Sequence, residues 1–147
     1  MRKIRETLFS KKIALEPSNP YNLTLDILDS MATLGSIKEK KHEYKTDGPK
    51  KVVNLVFDLE DKIDDHSSII FSFKVNGEHN GKGILLIDLA GIFNLRVDDR
   101  EGLGKEAFSE FYFKNLFPSL KSGAEEKLGS MTKVIETRIS ELAAKYY

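Results

Sequence analysis

The sequence predicts an α+β domain built on an antiparallel meander, and three observations carry that prediction. Two runs, 51–61 and 67–75, alternate apolar and polar residues with period two, as half-buried strands do. The segment after them, "NGEHNGKG" at 76–83, is rich in Asn-Gly pairs, residues that tolerate the positive φ of hairpin turns. Past residue 107 the apolar spacing lengthens to three and four residues, the helical period. Strands first and helices after is the α+β order.

At 147 residues the chain is one domain's worth, long enough to bury a core without staples. It has no cysteine, which excludes disulfides, a thiolate nucleophile and a cysteine-based zinc site. Lys+Arg and Asp+Glu are both 23, and zero formal net charge gives no global attraction to nucleic acid or an anionic membrane. The longest apolar stretch, Ile84–Phe93, is broken by Asp88 and Gly91 and is too short to span a bilayer. "MRKIRETLF" has basic residues but no apolar run behind them, so no secretory signal is expected and the expected location is cytoplasmic.

Taken in order, "TLFSKKIALEP" at 7–17 sets Phe9, Lys11, Ile13 and Leu15 against Ser10, Lys12, Ala14 and Glu16, a strand ended by "PSNP". "LTLDILDSMATLGSI" at 23–37 places Leu25, Leu28, Met31 and Ala32 at helical steps, a short amphipathic helix. "KEKKHEYKTDGPKK" at 38–51 reads as a lysine-rich solvated loop with a turn at Asp47-Gly48-Pro49. The next strand puts Val53, Leu55, Phe57 and Leu59 on one side, and its successor does the same with Ile69, Phe71, Phe73 and Val75. "ILLIDLAGIF" at 84–93 is apolar on both faces, so it needs cover on both, from helices or from another subunit. Phe108, Phe111, Tyr112, Asn115, Leu116 and Leu120 then mark one helical face, with Phe113 and Phe117 as a second stripe and Pro118 set to kink or restart the helix. Ile135, Ile139, Leu142, Ala143 and Tyr146 mark a terminal amphipathic helix.

No catalytic constellation emerges. His42, His66 and His79 fall in predicted loops or turns without metal-ligand spacing. The acidic run Asp58, Glu60, Asp61, Asp64, Asp65 lacks the glycine and ligand spacing of a calcium loop and reads as a solvated turn. "NGKG" precedes a strand, whereas a phosphate loop precedes a helix. The sequence therefore nominates no enzyme, no cofactor and no metal. What it leaves over is apolar surface: a second aromatic stripe and one face of Ile84–Phe93, beyond what two helices and four strands hide, point to burial by oligomerisation or by a partner.

Three segments resemble the SecB chaperone family. "LFSKKIALEPSNP" is similar to the family's first strand with its Pro/Asn-rich exit, and "AGIFNL" to its Gly-Gly-Ile-Phe at the end of the fourth strand. "FYFKNLFPSLKSGAEEKLGSMT" resembles the start of its first long helix, where Asn115, Leu116, Phe117 and Pro118 match and Ser119 stands in place of Tyr. The resemblance implies a SecB-like four-stranded antiparallel sheet with helices packed on one face, assembled as a dimer of dimers. It implies an ATP-independent holding chaperone that takes unfolded polypeptide clients in hydrophobic grooves and hands them to an export motor ATPase. Client contacts would come from Tyr21, from Val53, Leu55, Phe57 and Leu59, and from Leu142 and Tyr146. Subunit contacts would come from Ile84, Leu86, Phe108, Phe111, Tyr112 and Leu116. The chain departs from the family in a long 21–50 segment, in lacking a glycine-proline break after Met131, and in having no net acidity. Asp88 alone stands near the family's motor-binding acidic position, with a shifted register. The alternative expectation is a SecB-fold interaction module with one dedicated partner, such as an antitoxin.

Overall fold

The computed structural model describes residues 2–63, 67–97 and 117–147. Its elements are β1 (Arg2–Leu15), α1 (Pro20–Ala32), β2 (Ser36–Asp47), β3 (Lys50–Lys62), β4 (Ser67–His79), β5 (Gly83–Val97) and α2 (Phe117–Ala144). The sheet has five strands in the order β1-β5-β4-β3-β2, every pair antiparallel. Strands β2 to β5 follow one another as hairpins, while β1 lies at the far edge and α1 carries the chain back to β2.

The expected α+β class holds, but the sheet has five strands where four were expected. The additional one is β2, the segment read as a lysine-rich loop. Its side chains are exposed almost throughout, so no apolar alternation marks it. What makes it a strand is backbone pairing with β3, from Ser36↔Glu60 to Asp47↔Lys50, closed by a tight turn in which Gly48 takes φ 60°. His42 and His79 consequently sit in β2 and β4, not in loops, and Asp58, Glu60 and Asp61 belong to β3 rather than to a turn. His66, Asp64 and Asp65 lie outside the described residues.

Both helices cover the same sheet face. Leu23, Ile27 and Met31 of α1 and Leu128, Ile135 and Ile139 of α2 share one core with Leu55, Phe57, Leu59, Phe71, Phe73 and Phe93. At its centre the Phe57 and Phe73 rings stack 4.5 Å apart at 8°. The buried stripe of α1 runs through Leu23, Ile27 and Met31, with Leu25 and Leu28 half-buried and Ala32 exposed. Met31 lies on the stripe as the sequence predicts, whereas Leu25, Leu28 and Ala32 fall a step around the helix from it.

Local chemistry sets the helix ends. Asn19 caps α1, its side chain accepting from the Asn22 amide at 3.1 Å, and Pro20 occupies the first turn, where its missing N–H costs nothing. Pro118 sits likewise in the first turn of α2, which then runs unbroken past Met131. Polar ties lock α2 to its neighbours: Lys11 to Glu136 at 2.5 Å, Lys127 to Asp61 at 3.2 Å, and Arg138 to the Ser30 carbonyl at 3.0 Å.

Each edge strand carries a bulge, in β1 between Thr7 and Phe9 and in β2 between Glu39 and Lys41. The extra residue in β2 is Lys40, whose ammonium reaches the nearly buried carboxylate of Asp58 at 2.9 Å. A buried carboxylate needs such a cation, and the bulge supplies it. Bulges and lysines on an edge also discourage pairing with stray strands.

Candidate functional site

Among the described residues, a cleft opens where α1 begins, over the ends of β2, β3 and β4. Ser18, Asn19, Pro20, Tyr21, Tyr44, Lys51, Val53, Gly77 and His79 line its volume of about 190 Å³. The helix-facing side of β3 brings Val53 and Lys51, two residues apart on one strand, and β2 brings Tyr44 in register with Val53. The ring of Tyr44 meets Tyr21 of α1 with centroids 4.3 Å apart at 41°, forming an aromatic wall.

Two glycines let the chain close over the sheet here. A Cβ on Gly77 would stand 2.6 Å from a Val53 methyl carbon and 3.1 Å from Cβ of Pro20, and one on Gly83 would stand 1.7 Å from the carbonyl oxygen of Pro17. The connection from β1 to α1 therefore lies directly on the strand ends. A backbone bond from the Ser18 amide to the Tyr146 carbonyl at 2.6 Å holds it from the other side.

The charges are unbalanced. Lys51 and His79 are cross-strand partners on the cleft side, and no carboxylate is among the lining residues. The neighbouring pair Lys50 and Glu78, at 3.3 Å, belongs to the opposite sheet face.

That opposite face has no helix over it among the described residues. Along β5 it presents Ile84, 45% exposed, and Leu86, 51% exposed, beside Ala14 of β1. Asp88 follows on the same face, in register with Lys12 and Lys74.

The residues implied as client contacts divide three ways. Tyr21 and Val53 both line the cleft, Tyr21 half-buried and Val53 2% exposed and so nearly as covered as the core. Leu55, Phe57 and Leu59 are core, fully covered by the helices, because the clean alternation that marks them is the signature of a face packed inward. Leu142 and Tyr146 are half-buried on α2 and just after it, against the core. Of the residues implied as subunit contacts, Ile84 and Leu86 are exposed, while Phe108, Phe111, Tyr112 and Leu116 lie outside the described residues. Tyr44, Lys51 and His79 were not nominated from sequence. The only sequence signal for them was Tyr44 as the lone aromatic in a basic stretch.

Tyr146 donates its phenolic hydrogen to the Asp26 carboxylate. That hydrogen bond, aided by burial and by the Asp26 charge, raises its pKa above the usual 10.0. A raised phenol pKa favours the fold while the phenol is protonated, so its contribution is present below about pH 10 and is lost as pH rises through the folded value. Tyr146→Phe is expected to cost about 1 kcal/mol at pH 7. Urea titrations at neutral and strongly alkaline pH check this, with the gap between variant and parent shrinking at the alkaline end.

Among the described residues no group of three or more His, Asp or Glu is placed to hold a metal ion, and no helix is long and apolar enough to cross a membrane. No family model matches the chain, and no curated protein matches it.

Proposed function

We propose that this chain is an ATP-independent holding chaperone of the SecB-like kind, taking non-native polypeptide at the Tyr21–Tyr44–Val53 cleft and self-associating, as a dimer of dimers, with Ile84 and Leu86 in the contact. The observation that carries the reading is the cleft, with its aromatic wall of Tyr21 and Tyr44 at the surface. Burial of apolar surface is worth about 25 cal/mol per Å² and demands no particular partner, which suits clients that share only exposed side chains. The exposed pair Ile84 and Leu86 supports association, and an oligomer multiplies weak contacts. Handover to an export motor ATPase has less support, because Asp88 stands between Lys12 and Lys74 and its strand presents no acidic patch.

Light scattering tests the proposal. An unrelated, chemically unfolded protein is diluted into buffer with and without this one, in the absence of ATP. Suppression near one oligomer per client is expected, with a clear loss in a Tyr21→Ser, Tyr44→Ser variant that keeps its circular dichroism. No suppression by the folded parent moves the reading to a module with one dedicated partner.

A further inference from the structure

We propose that the cleft seats the C-terminal residue of a polypeptide, its apolar or aromatic side chain against the rings of Tyr21 and Tyr44 and its free α-carboxylate between Lys51 and His79. The inference rests on the reading of the cleft as a polypeptide site and names what it selects.

Charge is the first argument. Directly opposed residues in an antiparallel pair hold their Cβ atoms about 5 Å apart, so Lys51 and His79 present two donors side by side at the cleft. Seven other lysines of the described residues, Lys11, Lys40, Lys41, Lys45, Lys50, Lys82 and Lys127, have carboxylate partners within 4 Å. Lys51 and His79 have none among the described residues; Lys12, Lys38, Lys62, Lys74, Lys133 and Lys145 also lack one, and what sets Lys51 apart is its place in the cleft opposite His79. The end of α1 is not the source of this anion preference: the Asn19 side chain already accepts from the Asn22 amide, and Pro20 carries no N–H.

Size and polarity are the second. An apolar cavity of about 150 Å³ holds one benzene ring, and the cleft's volume of about 190 Å³ fits one ring with a carboxylate. Inorganic phosphate would engage the two donors and leave both tyrosine rings uncovered. An aspartate or glutamate inside a chain would place its carboxylate where the apolar body belongs. Of the carboxylates a polypeptide offers, only that of a C-terminal residue shares one carbon with a large apolar side chain.

Nuclear magnetic resonance on the full-length, ¹⁵N-labelled protein tests it with five-residue peptides ending in phenylalanine, as free acid and as amide, and with phosphate and N-acetyl-phenylalanine beside them. The free-acid peptide is expected to move the amide signals of Tyr21, Gly77 and His79 and to bind about fivefold tighter than the amide, which is about 1 kcal/mol. Lys51→Glu, at an exposed position, is expected to keep a dispersed spectrum and to erase that preference. Equal binding of acid and amide, phosphate binding as tightly as the acid, or binding of N-acetyl-phenylalanine but not of the peptide would each overturn the proposal. Aggregation suppression and acid preference are separate readouts, so the failure of one leaves the other standing.

Discussion

Phe57→Ala is expected to lower the melting temperature by about 10–15 °C. The side chain is fully buried and stacks on Phe73 at 4.5 Å, in a strand flanked on both sides by others. Truncating such a phenylalanine costs about 3–5 kcal/mol through lost transfer energy and the cavity left behind. For a domain of this size each kcal/mol moves the midpoint by about 3 °C. Phe57→Leu, which keeps most of the volume, is expected to cost about 1–2 kcal/mol. Thermal unfolding followed by circular dichroism separates the two. The experiment also decides a functional point, because the family resemblance implies Phe57 as a client contact. An unchanged melting temperature with weakened client binding would put Phe57 at a surface, against the packing described above.

Gly83→Ala is expected to cost about 3 kcal/mol and to deform the cleft. The new methyl would stand 1.7 Å from the Pro17 carbonyl oxygen and 3.2 Å from Cδ of Pro20. Main-chain atoms cannot swing aside as a side chain does, so the 17–20 connection must lift off the sheet. That strain is of overpacking size. Gly81→Ala is the contrast: its φ of 76° disfavours a side chain, but nothing lies within 4 Å, so the cost is about 1–2 kcal/mol from backbone conformation alone. Urea midpoints give the two costs. The amide signals of Tyr21 and Tyr44 report whether the cleft moves, as expected for Gly83→Ala only.

The strands β3 and β4 were legible because each has one face packed inward, and alternation is the trace that packing leaves in a sequence; β5 was legible as an apolar run, since Ile84 and Leu86 add apolar residues to its open face. Strand β2 was not, since an edge strand with both faces largely wet has no reason to alternate; its identity lies in hydrogen bonds to β3, which composition does not record. The candidate site was half legible. Tyr21 and Val53 were named, but through a resemblance that named Leu55, Phe57 and Leu59 with them, and the alternation that makes a strand conspicuous is also what buries its apolar side. Tyr44, Lys51 and His79 are brought together only by cross-strand register and by α1. Residues on three strands carry no shared spacing along the chain.

The sheet order has a consequence for how the chain is made. Strands β2 to β5 pair with their neighbours in sequence, whereas β1 pairs only with β5, across most of the chain's length. Contacts so distant in sequence close late. Until β1 pairs, the β5 edge stays open, so closing this sheet means that the chain captures an extended segment of its own.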